Sequence, residues 1–302
     1  MSEENKEYMT ISRPMLAASA VREQELIDHM PTQVLASPKL DGIRVLLHPE
    51  LGPVTRRFKP LPNNWVREQL SQFKCFDGEI MTYTNGKPDD FNTVQSKIMS
   101  HDGEPDYKFL VFDSFHDPDL PFIQRYDAAV KFVEDFHLKT IQVVPHTLIG
   151  SVEDFIAFAD HQLAADFEGA MYRSIDGLYK SGRSTLRQGW LVKWKNFQDA
   201  EGTVVDFIEQ LHNENEATTD KLGLTERSSK QENMVGKNTL GALVLNTQWG
   251  TLRVGTGFDD LLRKRIWQNR DNYMGKIVTF KYQPHGAKNL PRFPVFKAFR
   301  ED

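Results

Sequence analysis

The stretch Ser37-Pro38-Lys39-Leu40-Asp41-Gly42-Ile43-Arg44 decides how the rest of this chain is read. Its lysine lies between two short apolar runs, 33–36 and 43–47, rich in Val, Leu and Ile and of strand length. Pro38 and Gly42 bracket the lysine and mark a tight, irregular connection. The pattern predicts that Lys39 is held near the mouth of a sheet and not on a mobile surface helix. On these eight residues alone, a solvated lysine beside an Asp-Gly turn stands as an equal reading.

Composition narrows the class. A length of 302 residues suffices for two domains with proper cores, and 39% hydrophobic with 26% charged residues is ordinary for a soluble globular protein. One cysteine, Cys75, excludes an intrachain disulfide and predicts a reducing compartment, with the thiol buried in a strand. The chain starts acidic and polar, without the apolar core of a signal peptide, and no apolar run approaches membrane-spanning length. A net charge of −5 argues against a nucleic-acid partner, but its distribution argues for one. Lys276, Lys281, Lys288, Arg292, Lys297 and Arg300 follow one another with no acid between them. Arg173, Lys180, Arg183, Arg187, Lys193 and Lys195 face only Asp176. Two such segments on a mildly acidic body form either one electropositive face or two ordinary solvated ones.

Along the chain, residues 1–12 read as a frayed tail. Ser19 is placed to cap a helix running to about Met30. Asn63, Asp90 and Ser151 are further N-cap candidates. Phe76-Asp77-Gly78-Glu79-Ile80 reads as a strand broken by a turn, and residues 107–113 as a strand ending in a carboxylate. In 190–195, alternation sets Lys193 and Lys195 on the face opposite Val192 and Trp194. Beyond Asn196, five short strands and one helix suit an OB-type barrel. The expected division is 1–199 and 200–302, with a polar stretch at about 209–238 read as a long loop or extended hairpin inside the barrel.

Further signals follow Lys39 in order: Thr55-Arg56, Phe76-Asp77-Gly78-Glu79, Phe109-Leu110-Val111-Phe112-Asp113, Glu168-Gly169-Ala170-Met171, Tyr179-Lys180-Ser181-Gly182-Arg183, Trp190-Leu191-Val192-Lys193-Trp194-Lys195, and Arg292-Phe293-Pro294-Val295-Phe296-Lys297-Ala298-Phe299-Arg300-Glu301-Asp302. The Lys39 octapeptide resembles the Lys-x-Asp-Gly-x-Arg signature of the covalent nucleotidyltransferases. The ordered set resembles the ATP-dependent DNA ligases over nearly the whole chain. With 38 residues ahead of the lysine, the chain resembles the small viral or bacteriophage type, without an added DNA-binding domain. The resemblance implies an α+β fold: an adenylation (nucleotidyltransferase) domain of antiparallel sheets with flanking helices, followed by an OB-fold β-barrel.

It also implies roles. Lys39 attacks the α-phosphate of ATP and carries AMP as a covalent intermediate. An ordinary lysine is only about one part in a thousand neutral at pH 7.4, so about 4 kcal/mol of environmental bias is needed to bring half of it to the nucleophilic form. Lys193 and Lys195 bind the α-phosphate and supply cations to that end. Glu168 and Glu79 are the expected Mg²⁺ ligands. Arg44 and Glu79 reach the ribose hydroxyls, and Phe112 stacks on adenine. Arg56, with Lys59 and Arg183, grips DNA phosphate at the nick, although Arg57 is an equal candidate beside Arg56. Arg292, Lys297 and Arg300 orient the pyrophosphate leaving group. Asp41 and Asp113 either support the site or are structural.

The sequence therefore points to a DNA ligase that seals nicked double-stranded DNA in replication, repair and recombination. It is expected to act as a monomer without a membrane partner, in the cytoplasm, or the host cytoplasm if the source is viral. An RNA ligase or mRNA guanylyltransferase of the same superfamily, and a non-catalytic nucleic-acid-binding module, are the alternatives. An NAD-dependent ligase is disfavoured by the short segment before Lys39 and by the lone Cys75.

Overall fold

A computed structural model describes residues 11–136, 139–194, 197–220, 223–283 and 290–300. The tail up to residue 10, Lys195, Lys288, Glu301 and Asp302 lie outside the described residues. The chain divides into two compact units, Met1–Lys195 and Asn196–Asp302.

In the first unit the elements run β1 (Ala18–Ala20), α1 (Glu23–His29), β2 (Val34–Pro38), β3 (Ile43–His48), β4 (Gly52–Thr55), α2 (Asn64–Leu70), β5 (Phe76–Thr84), α3 (Phe91–Met99), β6 (Tyr107–Ser114), α4 (Phe122–Phe136), β7 (Ile141–Val143), β8 (Thr147–Ile149), α5 (Val152–Ala164), β9 (Ala170–Ser174) and β10 (Val192–Trp194). They form two sheets, ordered β8-β2-β9-β10-β1 and β4-β3-β5-β6-β7. Most pairs are antiparallel, but β10–β1 and β6–β7 are parallel, so the sheets are mixed where an antiparallel pair of sheets was expected.

Each sheet is packed on one face by helices. Val45, Leu47, Ile80, Phe109 and Val111 meet Val66 and Leu70 of α2, Val94 and Ile98 of α3, and Ala129 of α4. Val34, Ala36, Ala170, Tyr172 and Val192 meet Leu26 of α1 and Phe155 and Ala159 of α5. Fully burying a side chain of this size contributes about 1.5–3 kcal/mol, so these two cores fix both sheets. Lys39 occupies the link by which the chain leaves the first sheet at Pro38 and enters the second at Ile43.

Three local expectations are corrected. Ser19 sits inside β1, paired in parallel with Lys193, and the following helix starts instead at Glu23 after Arg22. No turn breaks β5 at Gly78. A Cβ there would lie 2.6 Å from the Leu110 carbonyl oxygen and 2.7 Å from the Phe109 ring, so the glycine permits close strand contact. Cys75 is buried as expected, but it stands before β5 at φ 65°, its N–H donating to the Leu47 carbonyl. Burial pushes its thiol up to about 11, which makes it a poor nucleophile.

The second unit contains β11 (Gln198–Asn213), β12 (Ala217–Thr219), β13 (Thr225–Arg227), β14 (Met234–Thr247), β15 (Gly250–Val254), α6 (Asp260–Gln268), β16 (Ile277–Gln283) and β17 (Arg292–Phe299). Five strands pair in the order β15-β14-β11-β16-β17. A single parallel bridge, Thr256 with Val295, joins the segment after β15 to β17, so the sheet curls toward an OB barrel without a continuous closing ladder among the described residues. The polar stretch is an extended hairpin. β11 and β14 stay paired out to Asn213 and Met234, and β12 and β13 form a second small hairpin beyond them.

Candidate active site

Backbone pairing delivers the reactive groups to one place. The N–H of Lys39 donates to the Gly169 carbonyl at 2.9 Å, and the N–H of Glu168 donates back to the Lys39 carbonyl at 3.1 Å. This reciprocal pair brings the Glu168 carboxylate onto the Lys39 amine, and the two form an ion pair. Both cations and a carboxylate were expected around this amine; Glu168 lies against it, and Lys193 and Arg44 line the same cavity. Ser37, Met171 and Lys193 stand side by side across β2, β9 and β10, and all three line one cavity of about 510 Å³.

Gly42 opens the opposite wall. A Cβ at this position would fall 2.3 Å from the Ile80 carbonyl oxygen, so only glycine lets the chain descend onto β5 here. Its N–H donates to Glu79 Oε1 at 3.2 Å. Burial raises the Glu79 carboxyl to about 7, with Lys39 and Arg44 opposing the rise. Arg44 lies directly across from Glu79 in the ladder and makes a two-pronged pair with Asp77, Nε to Oδ1 at 2.9 Å and Nη2 to Oδ2 at 2.6 Å. Burial works against the Arg44 charge, but Asp77 outweighs it and holds the guanidinium charged. The Tyr179 hydroxyl donates to the same carboxylate at 2.7 Å, and burial raises this phenol well above its usual value.

Phe112 forms part of the lining, with the guanidinium carbons of Arg44 and Arg173 at 5.5 and 5.7 Å from its ring centroid. Arg173 is buried, and burial lowers it from its ordinary value while Asp113 opposes. Asp113 is fully buried and accepts from Arg173 Nη1 at 2.6 Å and from Arg125 Nε at 2.9 Å. Sequence reasoning missed Asp77, Arg125, Arg173 and Tyr179 as one connected support. For Asp77 and Arg173 the signal was charge in otherwise apolar strands; Arg125 lies on α4 and Tyr179 outside the strands.

Lys39, Arg44, Arg56, Glu79, Phe112, Arg183 and Lys193 all line the cavity. Arg56 sits in the turn after β4, closed by Thr55 N–H to the Lys59 carbonyl, with Lys59 itself on the exposed side. Arg183 is held by the Ala17 carbonyl at 2.6 Å. Lys195 lies outside the described residues. Arg292 and Lys297 belong to the second unit. Arg292 stacks over the Phe293 ring at 5.1 Å, and Lys297 pairs with Asp199 at 2.5 Å.

A reactive lysine among a carboxylate, arginines and an aromatic wall suits nucleotide chemistry, and comparison with known families agrees. The profile described as "ATP dependent DNA ligase domain" matches residues 14–195, and that described as "DNA ligase OB-like domain" matches 233–300. The chain belongs to the ATP-dependent DNA ligase family. A probable DNA ligase of Mycolicibacterium vanbaalenii is 26% identical over 193 residues, covering 59% of this chain and 36% of that protein. One from Kineococcus radiotolerans is 29% identical over 198 residues, covering 60% of this chain and 37% of the other. The chain thus spans little more than a third of the curated relatives it matches. The solved Chlorella virus DNA ligase-adenylate is 28% identical, covering 97% of this chain and 99% of its own, at a TM-score of 0.54. A Lig E DNA ligase structure, 24% identical with a TM-score of 0.71 and covering 95% of this chain and 99% of its own, shares the fold.

Proposed function

We propose that this chain is an ATP-dependent DNA ligase that seals nicks in duplex DNA. The observation that carries this reading is the Lys39 amine at the rim of a cavity whose walls hold Arg44, Glu79, Phe112 and Lys193, with Glu168 against the amine itself.

Before it can attack, the Lys39 nitrogen must lose a proton, which the cation of Lys193 on the same cavity favours, while Glu168 orients the nitrogen. The nitrogen then bonds to the α-phosphorus of ATP as the bond to the pyrophosphate oxygen breaks. Lys193 steadies the α-phosphate, Phe112 stacks on adenine, and Arg44 and Glu79 hold the ribose. Because Asp77 locks Arg44 in one orientation, little reorganisation is left for the moment of reaction. AMP next passes from Lys39 to the 5′-phosphate at the nick, and the 3′-hydroxyl displaces it to form the phosphodiester. Arg56, Lys59 and Arg183 grip DNA phosphates, and Arg292 and Lys297 orient the leaving pyrophosphate.

Among the described residues no group of three or more His, Cys, Asp or Glu could enclose a metal. Glu168 and the partly buried Glu79 are a donor pair that suits Mg²⁺, which takes few protein ligands and completes its shell with phosphate oxygens and water. Bound there, Mg²⁺ would supply neutralising charge to the phosphates.

No described helix is long and apolar enough to cross a membrane. We place the enzyme in the cytoplasm, or the host cytoplasm for a viral source, working as a monomer in replication, repair and recombination. Incubation with α-labelled ATP and Mg²⁺ should label the chain at Lys39, and chase with nicked duplex should move the label to DNA and then release it on sealing. Absence of label, label from GTP alone, or unchanged sealing by Lys39→Ala would overturn the proposal.

A further inference from the structure

The second unit carries its own anion substitutes. In β11, Asp199 and Glu201 point to one face of the sheet, two residues apart. Two strands over, Lys297 Nζ meets Asp199 Oδ2 at 2.5 Å, and Arg300 Nη1 meets Glu201 Oε2 at 3.1 Å. The intervening strand, β16, contributes Lys281 opposite Asp199, and that amine lies 5.0 Å from the Phe197 ring centroid. β17 is bulged here: Thr279 pairs with Ala298 and Phe280 with Phe296, which leaves Lys297 as the extra residue. A bulge re-aims the side chain it carries, and this one aims Lys297 across β16 at Asp199.

Lys297 and Arg300 are the cations read above as polyphosphate ligands, so the inference rests on that reading. We propose that Asp199 and Glu201 occupy the phosphate-binding positions of Lys297 and Arg300, and that a polyphosphate must displace these carboxylates to bind this face. Side-chain exposure at the four residues runs from 46 to 53%, so both pairs are in solvent and are weak. A weak pair suits this purpose. It holds the cations in a fixed place, yet a triphosphate of higher charge density takes them over. The two acids thereby set how much ATP the reaction needs, without touching the reacting atoms.

Asp199→Asn/Glu201→Gln tests this in the full chain. The KM for ATP in Lys39 adenylylation should fall about two- to thirtyfold, the range expected for two exposed pairs, with kcat changing by less than about twofold. The gain should shrink in 0.5 M salt, where exposed charges are screened over roughly 4 Å. It should vanish in a Lys297→Met/Arg300→Met background. Asp271→Asn/Glu232→Gln makes the same change in net charge in the same unit and should leave KM in place. Calorimetric titration with inorganic pyrophosphate reads the competition without turnover and should show the same tightening. A KM or pyrophosphate affinity that is unchanged or weaker, an equal gain in the control variant, or a gain that persists without Lys297 and Arg300 overturns the proposal. Tighter pyrophosphate binding by a chain that never adenylylates Lys39 would remove the ligase reading and leave the competition standing.

Discussion

Replacing Asp113 by asparagine removes a negative charge in direct contact with two buried guanidinium groups. Asp113 is fully buried, and the Arg125 and Arg173 side chains are only 2% and 4% exposed. The carboxylate accepts from Arg125 Nε and Nη2, from Arg173 Nη1 and from the Ser114 N–H. Asparagine keeps one acceptor oxygen and brings an NH₂ group toward a guanidinium. Breaking a buried pair from one side costs about 3–5 kcal/mol, because the partner charge stays behind without compensation. For a unit of this size each kcal/mol shifts the melting temperature by about 2–4 °C, so Asp113→Asn should lower it by about 10 °C. Differential scanning calorimetry of the full chain reads this directly. Asp113→Asn/Arg125→Met restores the charge count and should regain part of the loss. Regain should be incomplete, because Arg125 also donates to the Gly177 carbonyl at 3.0 Å. A shift below about 2 °C, or a double variant as unstable as the two single losses added, would refute the account of Asp113 as the neutralising centre.

Gly42→Ala should destabilise the first unit by about 1–3 kcal/mol through overpacking against Ile80, and denaturant melts should show it together with a loss of Lys39 adenylylation; a neutral substitution would contradict the close approach. Phe112→Ala should raise the KM for ATP about tenfold or more with a smaller effect on kcat, since stacking on a base is worth about 1–3 kcal/mol; an unchanged KM in steady-state kinetics would exclude the stacking role. Burial lowers the His146 imidazole from its ordinary 6.5 to about 4, so the folded chain binds that proton less readily than the unfolded one. Its contribution to stability is therefore complete above pH 6.5 and is lost as pH falls toward 4, and His146→Gln should flatten the melting-temperature profile across that window; parallel profiles for variant and parent would count against it.

What could be read from the residues alone was local. Asn63, Asp90 and Ser151 do cap helices, each accepting a backbone N–H three residues ahead, because that bond needs only neighbours in sequence. Lys39 was readable as a link between strands for the same reason. Ser19 has the same chemistry as Ser151 but lies in a strand, because its parallel pairing with Lys193, far along the chain, outweighs the cap. Gly78 shows the limit again: a turn and a close strand approach ask for the same residue, and only the position of Phe109 tells them apart. Buried charge was the hardest to foresee. Asp77, Asp113, Arg125 and Arg173 would each pass as surface residues, and their burial follows from sheet pairing that no short stretch encodes.

The reciprocal hydrogen bonds between Lys39 and residues 168–169 make strand alignment itself a safeguard. A slip of one position would set Phe167 or Gly169 beside the amine in place of Glu168, and such a copy would lose its counter-charge and its place on the cavity wall together. Imperfectly assembled molecules would then fail at the earliest chemical event. On the proposed ligase reading they would be inert bystanders that never pass a nucleotide on to DNA.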